Sequence, residues 1–339
     1  MTQAGRTNLA HQIASQPDEL ERLLTSGSVK AQVHGAAEAL HRVRRIWVVG
    51  TGTSQHAANL GAAMLQDAGR SAHAVSSMQF VKNAPIVGPQ DGVVVITHTG
   101  ETAYALAARA LAFSAGLQTV TICREGAPFN DAIQTVEKET SETYTVSYTT
   151  ALLALGMLAS AMGADTITSD KLALVPGSVR NALESNGTES VPLPARILSI
   201  VGAGHTSVTA REGALKVREG ARVLAEGYDA EFFLHGTAVP LTPKDHVLAL
   251  TTPDDDGLVE GVARAAEAEG IGVSRLPEPS PLPGVLQQIP LIARLHLLAL
   301  RFALERGQDP DTVITGHWDD HTLWSIGSPV PERPPAPTA

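Results

Sequence analysis

The chain has 339 residues, 43% hydrophobic and 4% aromatic, with 25 Lys and Arg against 35 Asp and Glu and a formal charge of −10. That length suits two domains of ordinary size. The charge excludes nucleic acid and an anionic membrane as main partners, yet leaves room for a small anion held by local donors.

Residues 1–27 carry one amphipathic helical pattern through Leu9, Ile13, Leu20, Leu23 and Leu24, with Pro17 placed to open a second helix. Residues 29–44 read as an Ala-rich helix. Ile46–Val49 is a buried strand that ends in Gly50-Thr51-Gly52-Thr53-Ser54, and a helix follows to about Ala68. Ala72–Val75 reads as a short strand. The apolar run Val93–Ile96 is a buried parallel strand. It stops at Thr97-His98-Thr99-Gly100-Glu101-Thr102, after which an Ala- and Leu-rich helix begins. Strand, hydroxyl-rich turn and helix start together make an anion site, because the first N–H groups of a helix are unsatisfied and its dipole is positive there. Thr97, Thr99 and Thr102 add hydroxyl donors. No Lys follows the Gly, so the turn is not a Walker-type nucleotide loop. The ligand it suits is a monophosphate. A capped turn with no ligand is the plain alternative.

Thr119–Cys123 is the next strand and contains the only cysteine. A lone Cys excludes an internal disulfide framework and fits a reducing compartment; a small core residue explains it better than a nucleophile does. Tyr144–Met162 is a long helix, apolar nearly all round and therefore buried. Residues 163–194 hold a helix near 171–185 and then a linker. The second half restarts with the strand Ile197–Val201 and Gly202-Ala203-Gly204-His205-Thr206-Ser207, which repeats the first Gly-x-Gly turn in kind. One domain length separates the two turns, so an internal duplication is the economical reading. His246–Thr251 and Ile271–Leu276 are further strands, and Ile289–Arg306 is an apolar helix. Prolines 329, 331, 334, 335 and 337 mark a disordered tail over 328–339. The start lacks an apolar signal region and no run of ~18 apolar residues is found, so no membrane is expected and the protein reads as cytoplasmic.

A dinucleotide fingerprint needs a third Gly three residues after the second, where Gln55 and Ser207 stand here. No cofactor is therefore expected. No His-Glu-x-x-His or Cys pair is present, and His317-Trp318-Asp319-Asp320-His321 reads as a solvated loop, so no metal is expected either. In Arg211–Glu219, Glu212, Lys216 and Glu219 share one helix face, which alone suggests a solvated ladder of salt bridges. The face leads, however, to Ala225-Glu226-Gly227-Tyr228 and Phe232-Phe233-Leu234-His235-Gly236. A Glu and a His in one apolar neighbourhood can divide acid and base work.

These motifs, in this order, resemble the sugar isomerase (SIS) family. They are similar to the isomerase half of glucosamine-6-phosphate synthase and to stand-alone amino-sugar-phosphate deaminases. Thr51-Gly52-Thr53-Ser54 resembles the family's Cys-Gly-Thr-Ser, and Thr97–Thr102 resembles its Ser-Gln-Ser-Gly-Glu-Thr phosphate loop. Glu212–Glu219 resembles Glu-Gly-Ala-Leu-Lys-Leu-Lys-Glu, and Ala225–Gly236 resembles Ala-Glu-Ala-Tyr … Lys-His-Gly. The resemblance covers about residues 8–315. It implies two doubly wound α/β SIS domains with parallel sheets flanked by helices, over 28–165 and 195–327. A helical segment at 1–27 and a helix and linker at 166–194 complete the expected layout.

The resemblance further implies that Ser54, Thr97, His98, Thr99 and Thr102 bind a sugar phosphate, with Gly52, Thr53 and Lys216 close by. Glu219 would move the proton between C1 and C2 of the open-chain sugar. His235 would open the ring from the neighbouring subunit, which implies a homodimer with shared sites. The implied activity is that of a phosphosugar aldose–ketose isomerase that deaminates an amino-sugar phosphate. The alternatives are a non-catalytic sugar-phosphate sensor, or hydrolysis of a phosphorylated sugar–amine conjugate. Three departures stand out. This sequence holds no glutaminase segment. Thr315-Gly316-His317-Trp318 stands where the family tail has its imine-forming Lys, and His98 replaces a Gln.

Overall fold

The computed structural model describes residues 7–83, 87–129, 131–253 and 255–320; the tail expected over 328–339 lies outside them. The chain opens with helices α1 (Asn8–Thr25) and α2 (Gly27–His41). α1 runs unbroken through Pro17, correcting the expectation of a second helix there. Proline removes the N–H that would bond the carbonyl four residues earlier. That carbonyl belongs to Ile13, and the side-chain amide of Gln16 donates to it at 3.1 Å.

Next come β1 (Arg45–Gly50), α3 (Thr53–Asp67), β2 (Ser71–Ser76), α4 (Ser77–Lys82), β3 (Asp91–Ile96), α5 (Ala103–Ser114), β4 (Gln118–Cys123) and β5 (Ala132–Gln134). The five strands form one parallel sheet in the order β2-β1-β3-β4-β5. α6 (Val146–Ala161) follows, every residue from Val146 to Ala159 buried. The single helix expected near 171–185 is two, α7 (Ser169–Ala173) and α8 (Val175–Glu184), with Pro176 in the first turn of α8. The second half holds β6 (Leu198–Gly202), α9 (His205–Ala221), β7 (Ala225–Asp229), α10 (Ala230–Phe232), β8 (His246–Thr251), α11 (Leu258–Ala268), β9 (Gly272–Pro277) and α12 (Gly284–Glu305). Its four strands form a second parallel sheet, β7-β6-β8-β9. α12 starts before Ile289 and carries Pro290 inside it.

Side chains alternate across each sheet with the strand period of two. Val48, Val94 and Ile96 point into the same core as Ile200, Leu248 and Leu250 of the second sheet. Val49, Val93 and Val95 pack on the other side against α4 and α5, through Phe80, Ala105 and Ala108. α3, α6, α9 and α12 fill the space between the sheets. α12 is the one described helix long and apolar enough to cross a membrane, and 89% of its most apolar window is buried inside the fold.

Both Gly-x-Gly turns use one device. A Cβ on Gly50 would lie 2.3 Å from the Ser54 carbonyl oxygen, and one on Gly202 would lie 2.6 Å from that of Thr206. The helix therefore folds back tightly over its strand only if the first residue is glycine. The second glycine takes a positive φ, +55° at Gly52 and +54° at Gly204.

In sheets of this strand order, ligands bind beyond the carboxyl ends of the strands where the order reverses. In the first sheet that point lies between β1 and β3. The turns that leave those strands are Gly50–Ser54 and Thr97–Thr102.

Candidate active site

A cavity of about 180 Å³ opens at this point. Thr51, Thr53 and Ser54 of the first turn line it, with His98, Thr99 and Thr102 of the second. Ile96, Ile122, Cys123 and Thr135 contribute from the strand ends and the loop beyond them; Tyr144, Ser147, Tyr148 and Ala151 contribute from α6 and the residues that lead into it. Glu219 reaches in from α9 and is the only charged side chain among these.

Three helices begin here. α3 and α5 have no side-chain cap. Thr102, the N-cap of α5, leaves its hydroxyl to the cavity instead of bonding the backbone. The N–H groups that open α5, the Thr53 N–H of α3 and both positive dipole ends suit an anion, whereas Ser54 N and Gln55 N of α3 are already bonded to Thr51 O and Gly52 O at 3.1 and 2.9 Å. The start of α6 is already filled. The carboxylate of Glu139 accepts from Ser147 N at 2.8 Å and from Thr145 N at 3.0 Å. Glu139 is buried, which pushes its carboxyl upward, and these donors and Lys216 pull it back.

His98 is held neutral. Burial, and then the charges of Arg124 and Lys138, lower it to about 4. Its Nε2 accepts from the backbone N–H of Glu139 at 3.3 Å, so the proton sits on Nδ1. Nδ1 is buried without a partner among the described residues, as are Thr97 Oγ1 and Tyr148 Oη. A buried donor left unpaired costs about 1–3 kcal/mol. Cys123 is a buried thiol that burial pushes up to about 11, so it is not a thiolate nucleophile.

Glu219 belongs to a buried ionic cluster. Lys216 Nζ lies 2.5 Å from Glu219 Oε2 and 3.4 Å from Glu212 Oε1. Glu212 Oε1 accepts from Thr53 Oγ1 at 3.0 Å, and its Oε2 lies 2.6 Å from His56 Nδ1. The side chains of Glu212 and Lys216 are fully buried, so the face expected to be a solvated ladder lies inside the molecule. α9 packs on α3 and α12 there. Burial opposes charge on Glu212, yet Lys216 and His56 hold it down at about 2. Burial also disfavours the Lys216 ammonium, but Glu219 and Glu212 keep it charged. Glu219 is raised, chiefly by burial, with Lys216 opposing.

The structure thus brings Ser54, Thr53, His98, Thr99, Thr102 and Glu219 to one cavity. Four sequence candidates lie outside its lining. Thr97 is buried at the base of the loop, and its N–H continues the sheet by bonding Ile122 O. Gly52 shapes the turn through its φ. Lys216 is sealed between two carboxylates. His235 is exposed, on a kinked turn after α10. Within one chain, Glu219 and His235 therefore do not share the neighbourhood that the sequence suggested: β7 and α10 carry His235 away.

Thr51, Thr135, Tyr144, Ser147, Tyr148, Glu139 and His56 escaped sequence reasoning. Tyr144, Ser147, Tyr148 and Ala151 fall at i, i+3, i+4 and i+7, a face that is polar at its start on a segment read simply as buried. Among the described residues no group of three or more His, Cys, Asp and Glu is placed to hold a metal, and His321 of the His-rich run lies outside them.

Comparison with known proteins agrees with this geometry. Residues 39–161 match the family model described as the SIS domain. The chain is 30% identical over 248 residues to the glutamine–fructose-6-phosphate aminotransferase [isomerizing] of Chlorobaculum tepidum, covering 66% of this chain and 39% of the relative. It is 28% identical over 327 residues to the enzyme of that name from Methanothermobacter thermautotrophicus, covering 88% and 55%. The chain thus spans about half the length of the curated relatives it matches. Its fold matches that of Escherichia coli tagatose-6-phosphate ketose/aldose isomerase (TM-score 0.78, 20% identity, 93% and 97% covered). It also matches the C-terminal domain of glucosamine–fructose-6-phosphate aminotransferase from Francisella tularensis (TM-score 0.75, 18% identity, 91% and 98% covered). Glucosamine-6-phosphate deaminase from Thermotoga maritima matches as well (TM-score 0.75, 17% identity, 90% and 97% covered). The protein therefore carries a SIS domain over residues 39–161, and its α/β fold of parallel sheets flanked by helices is that of these SIS-type structures.

Proposed function

We propose that the cavity takes an open-chain hexose phosphate and that Glu219 carries a proton between its C1 and C2. The single observation behind this reading is the meeting of two helix starts without side-chain caps and a ring of hydroxyls with one half-buried carboxylate. The phosphate sits on the N–H groups that open α5, on the Thr53 N–H of α3 and on Ser54, Thr99, Thr102 and the Nδ1–H of His98. A Glu raised by burial suits both removal and return of a proton near neutral pH.

For an amino-sugar phosphate the step balances as follows. Glu219 takes the proton from C2 and returns it to C1. The C2 amine gives up a proton and becomes an imine while the C1 aldehyde oxygen gains one and becomes a hydroxyl, and water hydrolyses the imine to the ketose phosphate and ammonia. No lysine lines the cavity among the described residues of one chain, and Lys216 is sealed between two carboxylates. The names of the relatives, aminotransferase [isomerizing], ketose/aldose isomerase and deaminase, support this class of chemistry.

Ring opening falls to His235 of a second copy of the chain. Phe232, Leu234 and Val239 stand 63%, 54% and 83% exposed around it, the apolar surface a homodimer face would cover. The test is incubation with glucosamine 6-phosphate while ammonia and fructose 6-phosphate are followed together. Equal release of both supports the reading. A rise in melting temperature with neither product points to a sensor or to a different sugar–amine conjugate. No shift with any hexose phosphate contradicts the phosphate site itself.

A further inference from the structure

His56 lies outside the lining of the cavity, yet it touches the ionic cluster that holds Glu219. Glu212 has two oxygens and three donors. Oε1 is shared by Thr53 Oγ1 at 3.0 Å and Lys216 Nζ at 3.4 Å, while Oε2 is 2.6 Å from His56 Nδ1. Glu212 is ionised, so Nδ1 carries the hydrogen and donates. Lys216 in turn sits closer to Glu219, at 2.5 Å, than to Glu212. The ammonium is therefore divided unequally between two carboxylates, and the His56 bond occupies the half of Glu212 that Lys216 does not reach.

We propose that His56 is a positioning residue for Glu219: by satisfying Glu212 it leaves Lys216 leaning toward Glu219, and so sets the pH at which Glu219 becomes a base. The inference rests on the reading of Glu219 as the proton carrier. Without the His56 donor, Oε2 of Glu212 is a buried anion lacking its partner, a costly state. Lys216 is the group free to answer it, by moving from 3.4 Å into full contact. Glu219 then loses its counter-charge and holds its proton to higher pH.

None of the other titratable groups around the cluster brings a second positive charge. Tyr148 of α6 is raised well above its ordinary range by burial and Glu212. His296 of α12 is buried and held at about 3, so it is neutral. Glu139, before α6, is a further acid that acts on Lys216. The device also joins the two sheets' helices, since His56 and Thr53 start α3 and Glu212, Lys216 and Glu219 ride on α9.

The test is a carbon-13 NMR titration of the glutamate carboxyls in the full chain, with E219Q assigning the Glu219 signal. In H56A the Glu219 midpoint rises by about one pH unit, tenfold in the ionisation equilibrium. H56N, whose amide nitrogen stands in for Nδ1, returns it toward the parent. The acid limb of kcat/KM moves in the same direction as the midpoint. A purely structural role would lower the melting temperature and leave the midpoint in place. Equal midpoints in the parent and H56A overturn the proposal; where H56A does not fold, H56L, which fills the space without a donor, serves in its place. A parent that turns over no hexose phosphate overturns the proposed function, and the midpoint comparison still decides the role of His56.

Discussion

At position 98, a histidine stands in a loop of hydroxyls, and its neighbours decide its chemistry. Buried, and bonded through Nε2 to the backbone N–H of Glu139, it is a neutral imidazole with one donor to offer. A glutamine side chain offers the same donor without titrating. H98Q is thus expected to bind hexose phosphate within a few-fold of the parent, while H98L loses a charge-assisted bond of about 1.5–3 kcal/mol, about 10- to 160-fold in Kd. Calorimetry on both variants checks this; equal affinities for H98Q and H98L would contradict it. The sequence showed the loop, because strand, hydroxyl turn and helix start are local signals. It did not show the tautomer, which depends on Glu139, 41 residues away.

On the scale of elements, α9 shows what local pattern leaves out. Its Glu212, Lys216 and Glu219 have the spacing of a surface ladder, and only the packing of α3 and α12 against α9 makes them a buried cluster. Pro17 likewise read as the start of a second helix, but a helix can pass through a proline when another donor supports it, as Gln16 does for Ile13; Pro290 lies inside α12 as well. β1, β3 and β4 of the first sheet were legible because parallel strands buried on both faces are continuous apolar runs; the edge strand β2 was legible only as the short stretch Ala72–Val75, and β5 was not. β7, Ala225-Glu226-Gly227-Tyr228-Asp229, has no such run and was read only as a motif. Its Gly227 has a physical reason: a Cβ there would lie 2.3 Å from the backbone N and Cα of Arg211 in α9. At Gly213 of α9 the obstacle is a side-chain tip, Leu295 Cδ1 at 2.4 Å. Backbone cannot yield as a leucine can. G227A is therefore expected to cost about 3 kcal/mol or more and G213A about 1–2 kcal/mol, read by denaturant unfolding. The reverse order would contradict this packing of β7 on α9.

For the whole molecule, the two sheets share one strand order, and both first turns share one glycine geometry. That repetition was legible as two Gly-x-Gly turns. The second half has a cavity at the corresponding point, lined by Thr252, Asp255 and Asp256, and the hydroxyl-rich second turn that favours an anion belongs to the first half. The place of His235 was not legible, since it depends on where β7 and α10 carry the chain. If two copies share sites, mixing E219Q with H235N restores activity: half the dimers are hybrids with one intact site each, giving about a quarter of the parental rate. No recovery after co-expression would contradict sharing.

The fold also sets an acid limit. His98 and His296 sit at about 4 and about 3 in the native chain, against 6.5 for a free histidine. Between those values the unfolded chain binds protons that the native chain does not. Stability is therefore whole above about pH 6.5 and falls as the pH drops toward 4, by ~2 kcal/mol per histidine at pH 5. Melting temperatures from pH 7.5 to 5 check this. H296L, lacking one of the two sites, falls less steeply, and an equal slope would contradict the assignment.

The most direct measurement follows glucosamine 6-phosphate in deuterated water by proton NMR, with the parent and Glu219→Gln side by side. The account predicts that the parent forms fructose 6-phosphate and ammonia, with solvent deuterium on C1 wherever the Glu219 carboxyl exchanges with solvent before it returns the proton, and protium carried over from C2 otherwise. It predicts no such turnover with E219Q, which still binds the sugar phosphate. Turnover at the parental rate by E219Q would contradict the central claim that Glu219 carries the proton.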